Sequence, residues 1–502
     1  MDLLSNLALG FETTLQPHNI FYCFIGALLG TLIGVLPGVG PTATIALLLP
    51  LTFTLDPISA LILLAGIYYG AQYGGSTTAI LVNLPGEASA AVTALDGYQM
   101  ARRGRAGPAL AIAAIGSFVA GTIATLIIAV AAPLLAAFAL RFGPADYFSL
   151  IVFGLICCVT LAHGSVLNAV AMIVLGILLS FVGTDIYTGA ARFTFGYLPL
   201  FDGIDVVAVS IGLFGISEVL RNLENRHSGR ASSVKDIGRL MPSRDDFRMS
   251  AGPIARGTAL GSFLGILPGG GALLSSFASY AAEKRLSRTP ERFGKGAIEG
   301  VAGPESANNA GAQTSFIPML TLGIPSNAVM AMMIGAMILQ GIQPGPSVMT
   351  QQPALFWGVI ASMWLGNLML IVLNLPLVGV WVRLATAPYY ALFPAIIAFS
   401  ALGIYSVNYN LFDLYTLTVF GIGSYLLIKL GCEPAPLLLG FVLGPMLEEH
   451  LRRAMILSRG DPSVFVTSPI SAVFLLLAAA MLVVVAMPAI RRRREEVFVE
   501  ED

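Results

Sequence analysis

The sequence predicts an all-α polytopic membrane protein. It is expected to hold two inverted-topology repeats with re-entrant hairpins and broken helices, plus one extra C-terminal helix, roughly 11–12 membrane segments in all. Three observations predict this: composition, an internal repeat and the charge of the loops. Of 502 residues, 56% are hydrophobic and 11% charged, with a mean hydropathy of +0.82. A soluble domain carries about 25% charged residues. Apolar runs long enough to cross a bilayer recur along the whole chain. The net charge of −1 points to no partner class. Membrane lipid is the expected surrounding, and nucleic acid is not an expected partner.

The repeat is read from short motifs in the same order. GALLGTLIGVLPGVG (Gly26 to Gly40) aligns without a gap on GTALGSFLGILPGGG (Gly257 to Gly271). YGAQ ending at Gln72 then matches AGAQ ending at Gln313, and NLPGEA around Pro85 matches GIPSNA around Pro325. PALAIAAI from Pro108 matches PALFWGVI from Pro353. Collinear order makes chance an unattractive explanation. The repeats span 20–225 and 251–455, a basic cytoplasmic linker spans 226–250, and a last transmembrane helix spans 464–490.

Loop charge supplies the orientation. LTFTLDP after the first break has no cation, whereas its counterpart EKRLSRTPERFGKG holds Lys284, Arg285, Arg288, Arg292 and Lys295. The next pair is reversed. DGYQMARRGRAG carries Arg102, Arg103 and Arg105, and QGIQPGPSVMTQQ carries no charge. Cationic loops stay cytoplasmic, so equivalent loops fall on opposite sides. Arg491 to Arg494 place the C-terminus in the cytoplasm. Arg452, Arg453 and Arg459 run against this topology. The N-terminus, MDLLSNLALGFETT, lacks a basic n-region and a small-residue cleavage site, so no cleaved signal peptide is expected. Cys23, Cys157, Cys158 and Cys432 lie in or beside apolar runs and read as small core residues.

The candidate site follows from the breaks. Inside lipid, irregular backbone survives only where protein or a water-filled cavity surrounds it. A helix that starts at such a break presents free N–H groups and about half a positive charge, enough to bind a carboxylate without Lys or Arg. Pro37, Gly38, Val39, Gly40 and Thr42 form the first tip, and Pro268, Gly269, Gly270 and Gly271 the second. The rows Gly26, Gly30, Gly34 and Gly257, Gly261, Gly265 are instead assigned to helix packing. A second polar, interrupted element follows in each repeat. Ser76, Thr77 and Thr78 in the first, with Ser326 and Asn327 in the second, join the expected substrate site. Asn83, Glu87, Glu305, Asn308, Asn309 and Gln313 are candidate coupling-ion residues. Polar groups at membrane depth are costly and tend to be functional, while interhelical hydrogen bonding is the plainer alternative. Glu305 fits either a structural carboxylate or a proton carrier. No G-x-x-x-x-G-K-[ST] and no H-E-x-x-H occurs, so neither nucleotide hydrolysis nor zinc-dependent proteolysis is expected. No enzyme activity and no cofactor is expected.

The paired LPG-x-G breaks, RFTFGYLPLFDGI with GLFGISEVL, GPESANNAGAQ with IPMLTLGIPS, ILQGIQPGP and APLLLGFVLGPMLEEHLRRA resemble the TctA family. That family supplies the large permease subunit of tripartite tricarboxylate transporters. The resemblance spans nearly the whole chain. It implies a multi-pass protein of the bacterial inner membrane working with a small membrane subunit (TctB-like) and a periplasmic substrate-binding protein (TctC-like). It also implies uptake of citrate or another carboxylate, driven by a sodium or proton gradient. Pro325-Ser326-Asn327-Ala328-Val329 stands where the family often has a GSPTTAV-like stretch, which weakens any claim for citrate itself. A stand-alone secondary transporter or antiporter for another small solute, and a non-transporting membrane scaffold, are the alternatives.

Overall fold

A computed structural model describes residues 3–36, 40–161, 165–185, 187–224, 237–269, 271–384 and 393–486. His163, the middle of the basic linker and Arg491 to Arg494 lie outside the described residues. The chain is helical almost throughout. The helices are α1 (Leu3–Thr14), α2 (Pro17–Val35), α3 (Pro41–Thr52), α4 (Pro57–Val82), α5 (Ala91–Arg102), α6 (Ala106–Ala139), α7 (Pro144–Leu161) and α8 (Val166–Ser180). A two-residue ladder, β1 (Gly183–Thr184) with β2 (Ala191–Arg192), precedes α9 (Val206–Ser210). The π-helical turn Ile211–Ile216 joins α9 to α10 (Ser217–Glu224). Then come α11 (Arg244–Ile266), α12 (Gly271–Leu286), α13 (Glu299–Thr314), α14 (Phe316–Leu322), α15 (Ala328–Leu339), α16 (Ser347–Gln351) and α17 (Pro353–Asn374). The last are α18 (Val378–Leu384), α19 (Phe393–Asn408), α20 (Leu411–Lys429), α21 (Pro434–Leu457), α22 (Val464–Thr467) and α23 (Pro469–Ala486). Among the described residues, five helices are long and apolar enough to cross a membrane: Pro17–Val35, Ala106–Ala139, Val206–Glu224, Pro353–Asn374 and Leu411–Lys429. Shorter apolar helices such as Pro41–Thr52 and Ala328–Leu339 accompany them.

Local chemistry sets the helix ends. Proline opens α2, α3, α4, α17 and α21, where its missing N–H would have no partner anyway. A capping box between Ser243 and Asp246 starts α11, so the end of the basic stretch is already helical. Leu36 and Leu267 are both extended (ψ 110 and 132) and end α2 and α11. Each precedes a proline, which disfavours helical geometry in the residue before it. Asn83 and Gly323 end α4 and α14 in the left-handed conformation, with φ 58 and 70.

The glycine rows set the packing. A Cβ at Gly26, Gly30 or Gly34 would lie 2.4 Å from the carbonyl oxygen of Leu63, Ile67 or Ala71. A Cβ at Gly257, Gly261 or Gly265 would come within 2.4 Å of the carbonyl oxygen of Gly303, Ala307 or Gly311. Residue numbers rise together in both pairings, so α2 runs parallel to α4 and α11 parallel to α13. The intervening α3 and α12 therefore carry the chain back. The two pairs face each other head to tail. Ser76 of α4 meets Glu305 of α13, while the Tyr68 ring lies 6.5 Å from that of Phe316, tilted at 42°, further along the second half of the chain. Hence α4 and α13 run antiparallel. The long helices cross over. Ser117 of α6 is bonded to Asn309 of α13 (2.7 Å), and Asn374 of α17 to Thr31 of α2 (3.3 Å).

The loops sort by charge. Arg105 pairs with Asp246, and the Asp96 carboxylate accepts from the Gly296 and Ala297 N–H groups at 2.7 and 2.8 Å. These contacts gather the cationic stretches around 102–105, 244–248 and 284–295. Elsewhere the uncharged turn after α15 is bonded to the end of α3, because Gln340 donates to the Thr52 and Leu55 carbonyls. Arg452 and Arg453 are paired. Arg452 meets Asp185 (2.7 Å) and Glu448 (2.6 Å), Arg192 meets the same two acids, and Arg453 meets Glu449. The Thr188 N–H and the Arg452 guanidinium hold the Asp185 carboxyl well below its ordinary value. Its contribution is therefore complete above the ordinary carboxylate value and is lost only as pH falls below it. Protease nicking of the 183–197 segment is expected to stay constant from neutral to mildly acidic pH. It should rise severalfold in Asp185→Asn, read by limited proteolysis.

Candidate functional site

The two breaks converge on one cavity of about 960 Å³. Gly40, Pro41, Thr42 and Ala43 enter it from the first tip, and Gly269, Gly271, Ala272 and Leu273 from the second. The loops that end α4 and α14 complete the inner wall with Pro85, Gly86, Glu87 and Ala88 on one side and Ser326, Asn327, Ala328 and Val329 on the other. These loops are latched to the tips. The Gly269 N–H donates to the Ser326 carbonyl at 2.7 Å. Gly86 lies so close to the Gly34 carbonyl that a Cβ would sit 1.7 Å from the oxygen.

The main chain of the wall suits an anion. Four helices begin at it: α3 at Pro41, α12 at Gly271, α15 at Ala328 and α21 at Pro434. The first N–H groups of a helix have no partner inside it, and their dipoles sum to partial positive charge. Asn327 caps α15, its Oδ1 accepting from the Met330 N–H at 3.0 Å, and its Nδ2 donates to Tyr68 Oη at 3.2 Å. Ser326 is fully buried, and its Oγ has no hydrogen-bond partner in the protein. A buried, unpartnered hydroxyl is costly unless something else completes it. Among the described lining residues the cationic side chain is Arg221, at the rim and 3.4 Å from Glu218 of the same helix. Glu87 and Glu433 are the other acids of the wall.

Several residues expected at the site lie elsewhere. Pro37, Gly38, Val39 and Gly270 fall outside the described residues. Pro268 is half-buried, lies near Gly154 and does not line the cavity. Ser76, Thr77 and Thr78 also stand outside the cavity wall. Helix α4 continues unbroken to Val82, so successive residues point about 100° apart. Ser76 faces Glu305, Thr77 borders a separate small void, and Thr78 Oγ1 donates to the Gly75 and Gly34 carbonyls. The coupling-ion candidates divide three ways. Glu87 lines the cavity. Asn83 is the exposed, left-handed end of α4. Glu305, Asn308, Asn309 and Gln313 form a fully buried centre on α13. There Asn309 Nδ2 donates to Ser117 Oγ (2.7 Å) and Asn308 Oδ1 (2.6 Å), and Gln313 Oε1 accepts from Thr125 (3.3 Å).

Sequence reasoning missed Tyr68, Gly86, Glu218, Arg221 and the start of α21. Gly86 and Glu87 are the repeat counterparts of Ser326 and Asn327. Aligning the two loops residue by residue would have found Gly86. Tyr68 sits one helical turn before Gln72, on the same stripe.

A helical fold with five membrane-length apolar helices and a cavity where two broken helix pairs converge is that of a multi-pass membrane protein. The family model described as "Tripartite tricarboxylate transporter TctA family" matches residues 20–439, and the chain belongs to that family. It is 65% identical over 502 residues, all of both chains, to the "Uncharacterized 52.8 kDa protein in TAR-I ttuC' 3'region" of Agrobacterium vitis. It is also 66% identical over 242 residues to the "Uncharacterized protein in TAR-II ttuC' 3'region" of the same organism, covering 48% of this chain and 100% of that one. No solved structure matches.

Proposed function

We propose that the protein is the large permease subunit of a binding-protein-dependent transporter. It takes up a di- or tricarboxylate across the bacterial inner membrane, driven by a sodium or proton gradient. The observation that carries this reading is the convergence of four helix starts and the unpartnered Ser326 hydroxyl on one cavity. A carboxylate brought there accepts hydrogen bonds from main-chain N–H groups and from Ser326, with Asn327 and Tyr68 alongside. Family membership supports the partners, a TctB-like small subunit and a TctC-like periplasmic protein. The gathered cationic loops support a cytoplasmic location for that side, and the run Arg491 to Arg494 supports one for the C-terminus. Alternating access moves one repeat-derived bundle against a scaffold.

Uptake of labelled citrate, malate, succinate and tartrate into membrane vesicles tests this. With the binding protein present, one or more of these is expected to enter saturably. Uptake should cease when the sodium and proton gradients are both collapsed. Full-rate uptake without any partner protein would overturn the tripartite assignment.

A further inference from the structure

We propose that Glu305 is a reversible proton-binding site, set apart from the cavity in a shell of Ser76, Thr93 and Asn308. The inference rests on the transport reading, whose coupling ion it names. Glu305 is fully buried on α13. One carboxylate oxygen, Oε1, accepts from Thr93 of α5. The other, Oε2, accepts from Ser76 of α4 at 2.5 Å and from Asn308 Nδ2 at 3.4 Å. Among the described residues no Lys, Arg or His forms an ion pair with it. The titratable group that faces it is Tyr73 of α4. The neighbouring acids are engaged elsewhere: Asp96 of α5 with Tyr280 and the Gly296 and Ala297 N–H groups, and Glu283 of α12 with Arg256. From α6 comes only the Ser117 hydroxyl, through Asn309. A permanent carboxylate here would be a buried charge with hydrogen bonds but no cation beside it among the described residues, which proteins avoid by pairing or by neutralisation.

The shell serves both protonation states. Ser76 Oγ lies 2.5 Å from Glu305 Oε2 and 2.9 Å from the Gln72 carbonyl, yet it has one hydrogen to give. With Glu305 ionised, the hydroxyl turns to the carboxylate. With Glu305 protonated, the acid donates to Ser76, and Ser76 passes its hydrogen to Gln72. An arginine or lysine would serve the ionised state alone. A metal cation needs several oxygen lone pairs turned toward it. Here Asn308 presents its amide nitrogen to Glu305, and its oxygen is occupied by Asn309 Nδ2 at 2.6 Å. The shell also reaches the cavity. Ser89, which follows wall residues Glu87 and Ala88, donates to Gln72 Oε1 at 2.7 Å. Ser89 engages the Gln72 side chain and Ser76 its main-chain carbonyl, so the cavity loop and the Glu305 shell meet at one residue through separate hydrogen bonds.

Infrared spectroscopy of the purified full-length protein tests the site without knowledge of the substrate. Wild type is expected to show the carbonyl stretch of a protonated carboxylic acid that disappears as pH is raised. The band should be lost in Glu305→Gln. In Ser76→Ala it should persist, with its midpoint moved to higher pH, because a hydrogen bond to the ionised form is the stronger one. In vesicles containing the whole complex, Glu305→Gln is expected to lose accumulation driven by an imposed pH gradient, and choline in place of sodium should leave wild-type accumulation intact. A band unchanged in Glu305→Gln, a band present at every pH, or accumulation that requires sodium overturns the proposal. Wild-type vesicles that take up none of the four labelled carboxylates would count against the transport reading, and the infrared result would then decide the proton site by itself.

Discussion

Asn327→Asp is expected to raise KM for the transported carboxylate by at least about 100-fold while leaving the fold intact. The two side chains have the same shape, and aspartate caps helices as well as asparagine does. The Met330 N–H keeps its acceptor, and Tyr68 can turn its own hydrogen toward the new oxygen. What changes is charge, placed on the wall of the proposed anion site. Two unit charges about 4 Å apart repel by about 4 kcal/mol at the effective dielectric found near protein surfaces, and about 1.4 kcal/mol is tenfold in affinity. Vesicle uptake against substrate concentration, with the thermal midpoint of the purified protein beside it, separates the two effects. A KM close to wild type removes Asn327 from the binding surface.

Gly86→Ala is expected to destabilise the protein by about 3 kcal/mol and to abolish measurable uptake. The added methyl would sit 1.7 Å from the Gly34 carbonyl oxygen, well inside contact distance. That oxygen belongs to α2, which is packed along α4 by Gly26, Gly30 and Gly34. The helix cannot yield without breaking that row, so the 83–88 loop must withdraw. Glu87 and Ala88 then leave the cavity wall. A lowered thermal midpoint together with lost uptake is the expected pair of results. An unchanged midpoint would show that the loop is not latched to α2. The matching change on the other side, Ser326→Ala, adds no backbone clash and should lower uptake without lowering the midpoint.

Much of this arrangement was legible because proline and glycine act through the backbone. Leu36 and Leu267 had to leave the helical region ahead of Pro37 and Pro268, and both did. The glycine rows announced close helix contact, and each row faces a row of carbonyls. Ser326 and Asn327 were legible as cavity-wall positions because they follow Pro325, which the repeat motifs align with Pro85. Ser76, Thr77 and Thr78 lie away from the cavity wall for the opposite reason. The glycines at 70, 74 and 75 look like an interruption, yet they serve packing inside a continuous helix. Asn83 resembled a ligand because it is polar and deep in the sequence run, but its position is that of a left-handed helix end. Arg221 and Glu433 could not be found from the motifs. They reach the cavity through the π-helical turn at 211–216 and the start of α21, neither of which carries a sequence signature of binding.

An anion site built from helix starts, as proposed, has an evolutionary consequence. A main-chain N–H survives almost every substitution at its own residue, proline excepted, so the attraction cannot be deleted by one change as a lysine or arginine can. Robustness of that kind leaves the side chains around it free to drift. Wall positions such as Phe214, Cys158 and Leu439 can then alter the size and shape of the accepted molecule while its carboxylate is still held. Related chains can thus diversify in what they carry by changing the lining alone, with the broken helices kept as common machinery.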